Sequence, residues 1–448
     1  MRAGPKVVIM RGIAAGLLLA AAVSLAAPAP AQVFDGASLA PDQTQDTPAA
    51  AALYKKGSAA YAARDYDGAI ALFTQVIAER PQAAVAWAAR AMAYDKKGDF
   101  DHALADYNQA LTLKPNDAYH LNARGMLYRA QKKCDLANAD FRQALALNAP
   151  LDAPISHSGL AICRTDAKDY AGAIDEYDQA IRLIGNPADP NLAIFYADRA
   201  ATKWFMKDYP GAIADYTSAL DREPKAAAYA AHLIFRARAY RMVRNFDAAI
   251  ADYGDAIAIG PNAGRYYERG TAHYQNKAYD DAMADFDQAL TMNPNQALTA
   301  YIHRARGDVW VRRKDFDHAL ADINQAVSLA PNNPVMLDAR CWARGLLNRE
   351  IDAAIADCEA AQAIRPDNPY VADNLAFAWF RKGAFDKAIA GYDAALKLNP
   401  TFAGEVYYHR GLALSASGDK TAGAADIAHA LALDPHAGDE MKDYGIAP

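Results

Sequence analysis

Apolar residues return at helical spacing through both halves of a segment that recurs along this chain. "DFDHALADYNQAL" (Asp99–Leu111) comes back as "DFDHALADINQAV" (Asp315–Val327), identical at eleven of thirteen positions. Around it a longer pattern repeats with a period of about 34 residues. Arg with Gly or Ala comes first, then a large residue and a turn with Lys, Gly or Asp. Ala-(Ile/Leu)-Ala-Asp-(Tyr/Phe) follows, and Asn or Pro closes the unit. Clear copies lie at 89–115, 123–147, 268–294, 305–331 and 375–400. With weaker members, eleven units run from about Ala50 to about Ala437. Each predicts two helices parted by a Gly or Asp turn and stopped by Pro or Asn-Pro. Small residues fall where the two helices would touch: Ala91 with Ala103, Gly125 with Ala137, Gly270 with Ala282, Gly307 with Ala319. Tyr107, Phe141 and Phe286 are placed to fill the adjoining groove.

The pattern resembles the tetratricopeptide repeat (TPR), a helix–turn–helix unit with the same aromatic, Gly, Ala and Pro positions. The resemblance covers residues 50–437. It implies an all-α fold, a right-handed α-solenoid superhelix of about eleven units whose first helices line a concave groove. A lone helical hairpin cannot bury its apolar face, so its neighbours must. Extra residues at 147–154 and 185–191 predict longer loops. Gly423 stands where most units have Ala, and residues 438–448 form a short tail with no obvious capping helix. The C-terminal end is therefore expected to fray or to dock onto a partner.

Eleven units can be compared with one another. An Arg in the first helix is matched by an Asp sixteen residues on: Arg90/Asp106, Arg124/Asp140, Arg199/Asp215, Arg236/Asp252, Arg269/Asp285, Arg306/Asp322 and Arg410/Asp426. Arg340/Asp357 fits with one extra residue. Where Lys56 or Leu375 replaces the Arg, Leu72 or Gly391 replaces the Asp; Leu160/Glu176 is the mismatch. The pattern predicts an ion pair between the two helices of most units.

Before the repeats, Arg2, Lys6 and Arg11 precede an uncharged apolar run, Gly12–Ala27, and then "APAPAQ". This reads as a secretory signal peptide over 1–31, cut after Ala31, with a retained anchor as the alternative. Residues 32–49 read as a flexible linker, and no other stretch is apolar enough to cross a membrane. The setting expected is therefore periplasmic or secreted. Of the 448 residues, 53% are hydrophobic and 22% charged, which excludes global disorder; the net charge of -6 argues against nucleic acid as a partner.

Four cysteines allow three pairings. Cys341 follows Arg340 and Cys358 follows Asp357, so a meeting of that pair would bring the two thiols to one seam. Cys134 lies at the turn of the third unit and Cys163 late in the first helix of the fourth, near the same end. Cys341–Cys358 and Cys134–Cys163 are the expected disulfides, with four buried free thiols as the alternative. The spacing offers no metal site, and neither phosphate-loop, dinucleotide, nucleophile-elbow nor zinc-protease motifs occur. His102 and His318 fill the same slot in duplicate units and read as exposed helix residues. No cofactor and no enzymatic activity are expected.

The face of each first helix opposite the repeated Arg lies two residues before it and two, five and six after it. By the resemblance, that face lines the groove. It offers Trp204 and Phe205, then Arg238 and Arg241, then Tyr267 and Tyr274, then Tyr301, Arg304 and Arg312, then Trp342. Arg forks suit carboxylates and aromatics suit peptide side chains; packing against a neighbouring unit is the other use for such aromatics. The reading is a protein-interaction scaffold or adaptor binding an extended peptide or a partner helix. A glycan or cell-wall binding accessory protein and a passive architectural spacer are the alternatives.

Overall fold

The computed structural model describes residues 47–186, 189–222, 227–398 and 400–447. The expected signal peptide, and the linker up to Gln45 and Asp46, lie outside the described residues. Every regular element among the described residues is an α-helix. The chain forms two bodies, one ending at Arg244 and the other beginning at Asn245.

In the first body α1 (Pro48–Ala62) pairs with α2 (Tyr66–Glu79), and α3 (Ala84–Lys97) with α4 (Phe100–Leu113). Next come α5 (Ala118–Ala130) with α6 (Cys134–Ala146), and α7 (Ala153–Asp166) with α8 (Tyr170–Leu183). Then α9 (Pro190–Phe205) pairs with α10 (Tyr209–Leu220), and α11 (Ala227–Met242) packs on α10. The second body opens with α12 (Phe246–Ile259), packed on α13 (Ala263–Gln275), which pairs with α14 (Tyr279–Thr291). It continues with α15 (Gln296–Arg312) and α16 (Phe316–Leu329), then α17 (Pro334–Leu347) and α18 (Ile351–Ile364). The last pairs are α19 (Pro369–Arg381) with α20 (Phe385–Lys397), and α21 (Ala403–Ser417) with α22 (Lys420–Leu433); α23 (Asp439–Asp443) follows.

The turn within a unit is local chemistry. A residue at positive φ ends the first helix, and in six units an Asp then caps the second. Gly98 (φ 78°) precedes Asp99, and Lys168 (φ 64°) precedes Asp169. The Asp99 carboxylate accepts the backbone N–H of His102, and Asp169 that of Gly172. Each cap satisfies a donor that the first helical turn leaves open. His102 and His318 are exposed, each hydrogen-bonded to the capping Asp three residues back.

Packing inside a unit follows the small-to-large rule. Ala91 and Ala103 are fully buried between α3 and α4. A Cβ on Gly125 would lie 2.7 Å from the Phe141 ring, and one on Gly270 would lie 2.8 Å from Phe286. Only a bare backbone lets these helices approach that closely.

Seven of the eight expected Arg–Asp pairs lie within one body, and all seven form. Six are two-pronged: Arg124, for example, places Nε 2.8 Å and Nη2 2.7 Å from the two Asp140 oxygens. Arg306 is the looser case, because Asp322 also accepts from His303 (2.7 Å) and Trp310 (3.2 Å). The free prong of the Arg reaches back to the preceding unit. Arg90 Nη1 donates to Thr74, Arg124 Nη1 to Asn108, Arg340 Nη1 to Asn324 and Arg410 Nη1 to Asp393. Arg199 does the same to Asp178. Each acceptor directly follows the large residue that fills the small-residue groove. One guanidinium thus ties the two helices of its own unit to the second helix of the unit before. At the Leu160 mismatch the carboxylate is served from elsewhere on α7: Glu176 lies 2.7 Å from His157 and 3.2 Å from Arg164.

The cysteines pair as Cys134–Cys163, joining α6 to α7, and Cys341–Cys358, joining α17 to α18. In both the Cα atoms are 5.6 Å apart. The last residues neither fray nor stand free for a partner. They turn back at Gly438, form the five-residue helix α23, and pack on the second body's own first helices.

Candidate functional site: the first-helix faces

In each body the first helices of successive units touch one another: α5 meets α7, α15 meets α17, and α17 meets α19. Their outward sides therefore make a continuous face. Sequence reasoning placed ten groove residues, and the structure assigns them to two bodies. Trp204, Phe205, Arg238 and Arg241 belong to the first; Tyr267, Tyr274, Tyr301, Arg304, Arg312 and Trp342 belong to the second.

In the first body Phe205 is 57% exposed and stacks on Tyr170 at 5.9 Å, while Trp204 meets Tyr209 edge-on at 5.1 Å. Arg238 lies over the Phe235 ring at 5.3 Å, a cation–π contact, and Arg241 is buried. Exposed aromatic area at Phe205 is thus the accessible part of this set.

The same face holds a buried acid that sequence reasoning missed. Asp198 on α9 is 8% exposed, and its Oδ2 has no hydrogen-bond partner. Burial pushes its carboxyl up to about 7, against the opposing pull of Arg129 from α5. The signal available in the sequence was an Asp beside, rather than sixteen residues after, the repeated Arg. The folded state holds this proton more tightly than the unfolded chain does. Stability must therefore fall as pH rises from about 4, the ordinary carboxyl value, to about 7. Asp198→Asn removes that ionisation. It is expected to raise stability by about 1–3 kcal/mol at pH 8 and to change little at pH 4. Chemical denaturation of both proteins at the two pH values checks this; an equal effect at both would refute it.

In the second body the groove residues are engaged within the chain. Arg304 is only 2% exposed and pairs with Asp308, one helical turn on, at 3.2 Å. Tyr274 is buried, and burial pushes its hydroxyl up to about 12. It accepts a hydrogen bond from Arg312 Nε at 3.3 Å. Arg312 in turn holds the Glu440 carboxylate of the tail at 2.9 Å. Tyr301 accepts from Asn333 at 3.5 Å, Tyr267 packs beside Phe286, and Trp342 packs on Phe377 at 4.9 Å. Sequence reasoning expected these Arg residues to await a partner. The structure shows Arg304 and Arg312 neutralised by carboxylates of the same chain.

Among the described residues no group of His, Cys, Asp and Glu is arranged to hold a metal ion. No helix there is long and apolar enough to cross a membrane.

Sequence profiles of the tetratricopeptide repeat match residues 51–83, 84–117, 122–192 and 264–296. Serine/threonine-protein phosphatase 5 of Rattus norvegicus and that of Mus musculus are each 33% identical over 96 residues, 21% of this chain. That match spans 18% of the length of either phosphatase. Among solved structures, the C-terminal part of a TPR repeat-containing protein from Cytophaga hutchinsonii aligns at 17% identity with a TM-score of 0.46. The alignment covers 56% of this chain and 97% of that one. PilW, a type IV pilus biogenesis factor, aligns at 20% identity with a TM-score of 0.42, over 48% of this chain and 94% of that one. Matched by repeat profiles in four segments, and built largely of paired helices among its described residues, the chain carries tetratricopeptide repeats.

Proposed function

We propose that this is an exported protein-interaction scaffold that holds short segments of other proteins, extended or helical, against its first-helix faces. The observation that carries the reading is in the second body, where that face already seats a protein segment: the C-terminal tail buries apolar side chains there and gives its Glu440 to Arg312. The first body adds an exposed aromatic, Phe205, at the end of the first helix α9, where it stacks on Tyr170. Two disulfides support an oxidising compartment, of which a periplasm is the one proposed. The repeat chemistry itself is spent on stacking, so specificity falls to the few inner-face side chains that the stacking does not use.

A photo-reactive residue in place of Phe205 tests this in intact cells, with Arg142 on the second helix α6 as the exposed control. A defined set of envelope proteins captured at 205 and absent at 142 is the expected result. Equal capture at both positions, or retention of the protein on peptidoglycan without protein capture, would overturn it.

A further inference from the structure

The tail deserves its own chemistry. It does not continue the repeat: after Pro435 the chain turns, and Gly438, at φ 81°, lies directly over the Tyr408 ring. Gly438 N–H donates to Glu405 at 3.1 Å. Met441 is fully buried and Ile446 nearly so, within one cluster that draws on four first helices. Val311 comes from α15, Leu346 from α17, Phe377 from α19, and Tyr408 and Leu412 from α21. Tyr444 lies beside Phe316 and donates its hydroxyl to the Val311 carbonyl at 3.4 Å. Asp439, Lys442, Asp443 and Gly445 remain exposed. Few side chains therefore hold the segment: Glu440, Met441, Tyr444 and Ile446. That is the scale of a bound peptide, not of a further repeat.

We propose that residues 437–446 are a resident ligand of a peptide site on this face, and that the site takes partner segments of the same chemistry. That chemistry is a carboxylate side chain, an apolar residue directly after it, an aromatic four places on and an aliphatic six places on. The inference deepens the scaffold reading and rests on it. Arg312 supplies the charge: its Nη2 lies 2.9 Å from the Glu440 carboxylate, while its Nε is held by Tyr274. The wall of Trp342, Phe377, Phe380 and Leu412 supplies the apolar area. Because the resident segment is tethered, its local concentration is high, and a partner must displace it. If the tail is seated 99% of the time, a partner's apparent affinity falls about 100-fold.

Two full-length variants release the tail without altering the site. In Gly438→Val the new Cβ falls 2.3 Å from the Tyr408 ring, at a φ that β-branched residues avoid. Met441→Asp puts a charge into the apolar seat. The probe is a labelled peptide of residues 436–447. Wild type is expected to bind it at least tenfold more weakly than either variant. Arg312→Glu in the Gly438→Val background should lose that gain, and so should a peptide carrying Lys at 440. Hydrogen exchange over 439–446 reports release, and circular dichroism reports the helices. A released tail with intact helices and no peptide binding overturns the proposal. So does a tail that neither variant releases, or loss of the second body's helices, since either makes the segment part of the core. Dimers built by exchanged tails would assign the face to self-association and overturn it too. Capture at position 205, in the other body, is read independently, so failure here leaves the scaffold reading to its own test.

Discussion

Gly159→Val is expected to destabilise the first body by about 3–5 kcal/mol, the cost of evicting a buried Phe ring. The ring is that of Phe141, which is completely buried. On one side a Cβ at Gly159 would lie 2.3–2.6 Å from three of its atoms; on the other a Cβ at Gly125 would lie 2.7 Å away. Ordinary overpacking costs about 1–3 kcal/mol because neighbours shift. Here the ring cannot retreat from α7 without striking α5. The Cys134–Cys163 link also holds the ends of α6 and α7 together, so the helices cannot part there. The strain is therefore expected to exceed the ordinary range until the ring leaves its seat. Phe141→Ala should rescue part of it, giving strong coupling in a double-mutant cycle. Urea unfolding followed by circular dichroism reads the result, with the two bodies treated as separate transitions. A loss under about 1 kcal/mol would show that the junction is looser than its geometry.

What could be read from the sequence depended on repetition. The small–large contacts and the Arg–Asp pairs are visible because the same contact must be rebuilt in every unit, so the chain supplies its own alignment. The backward prong of the Arg was also written there, in the residue after each groove-filling side chain. It varies among Thr74, Asn108, Asp178 and Asn324, all acceptors, and so does not look like a matched pair. Glu176 looked orphaned because its partners, His157 and Arg164, sit one turn either side of the expected slot. The inner-face rule put Arg304 among the groove residues, but gave no sign of how deeply it lies. Asp308, four residues on, was the available hint of an internal pair. The tail was the hardest to read. It occurs once, its helix is a single polar turn, and its anchors are spaced irregularly. No periodicity announces a segment whose partner surface is assembled from four separate units.

Asp357→Ala is expected to cost the second body about 3–5 kcal/mol, the penalty of stranding buried charge. Its two oxygens take both prongs of Arg340 at 2.7 Å, and one also takes Arg344 Nη1 at 2.6 Å. The three side chains are 9%, 20% and 12% exposed, in that order. Removing the carboxylate leaves two guanidiniums, one turn apart on α17, without the negative charge between them. The adjacent Cys341–Cys358 link keeps α17 and α18 together, so the site cannot open to admit water freely. Arg344 retains Glu350 at 2.9 Å, which places the larger share of the loss on Arg340. Arg340→Ala in the Asp357→Ala background should therefore recover part of the stability. Asp357→Asn, which keeps the shape and an acceptor but not the charge, should fall between wild type and Asp357→Ala. An exposed pair would be worth about 0–1 kcal/mol and would weaken with salt. Denaturant midpoints for these variants at low and high salt separate the two cases. A loss under about 1 kcal/mol that shrinks further in salt would mean that the repeated Arg–Asp pair ornaments the stack instead of holding it.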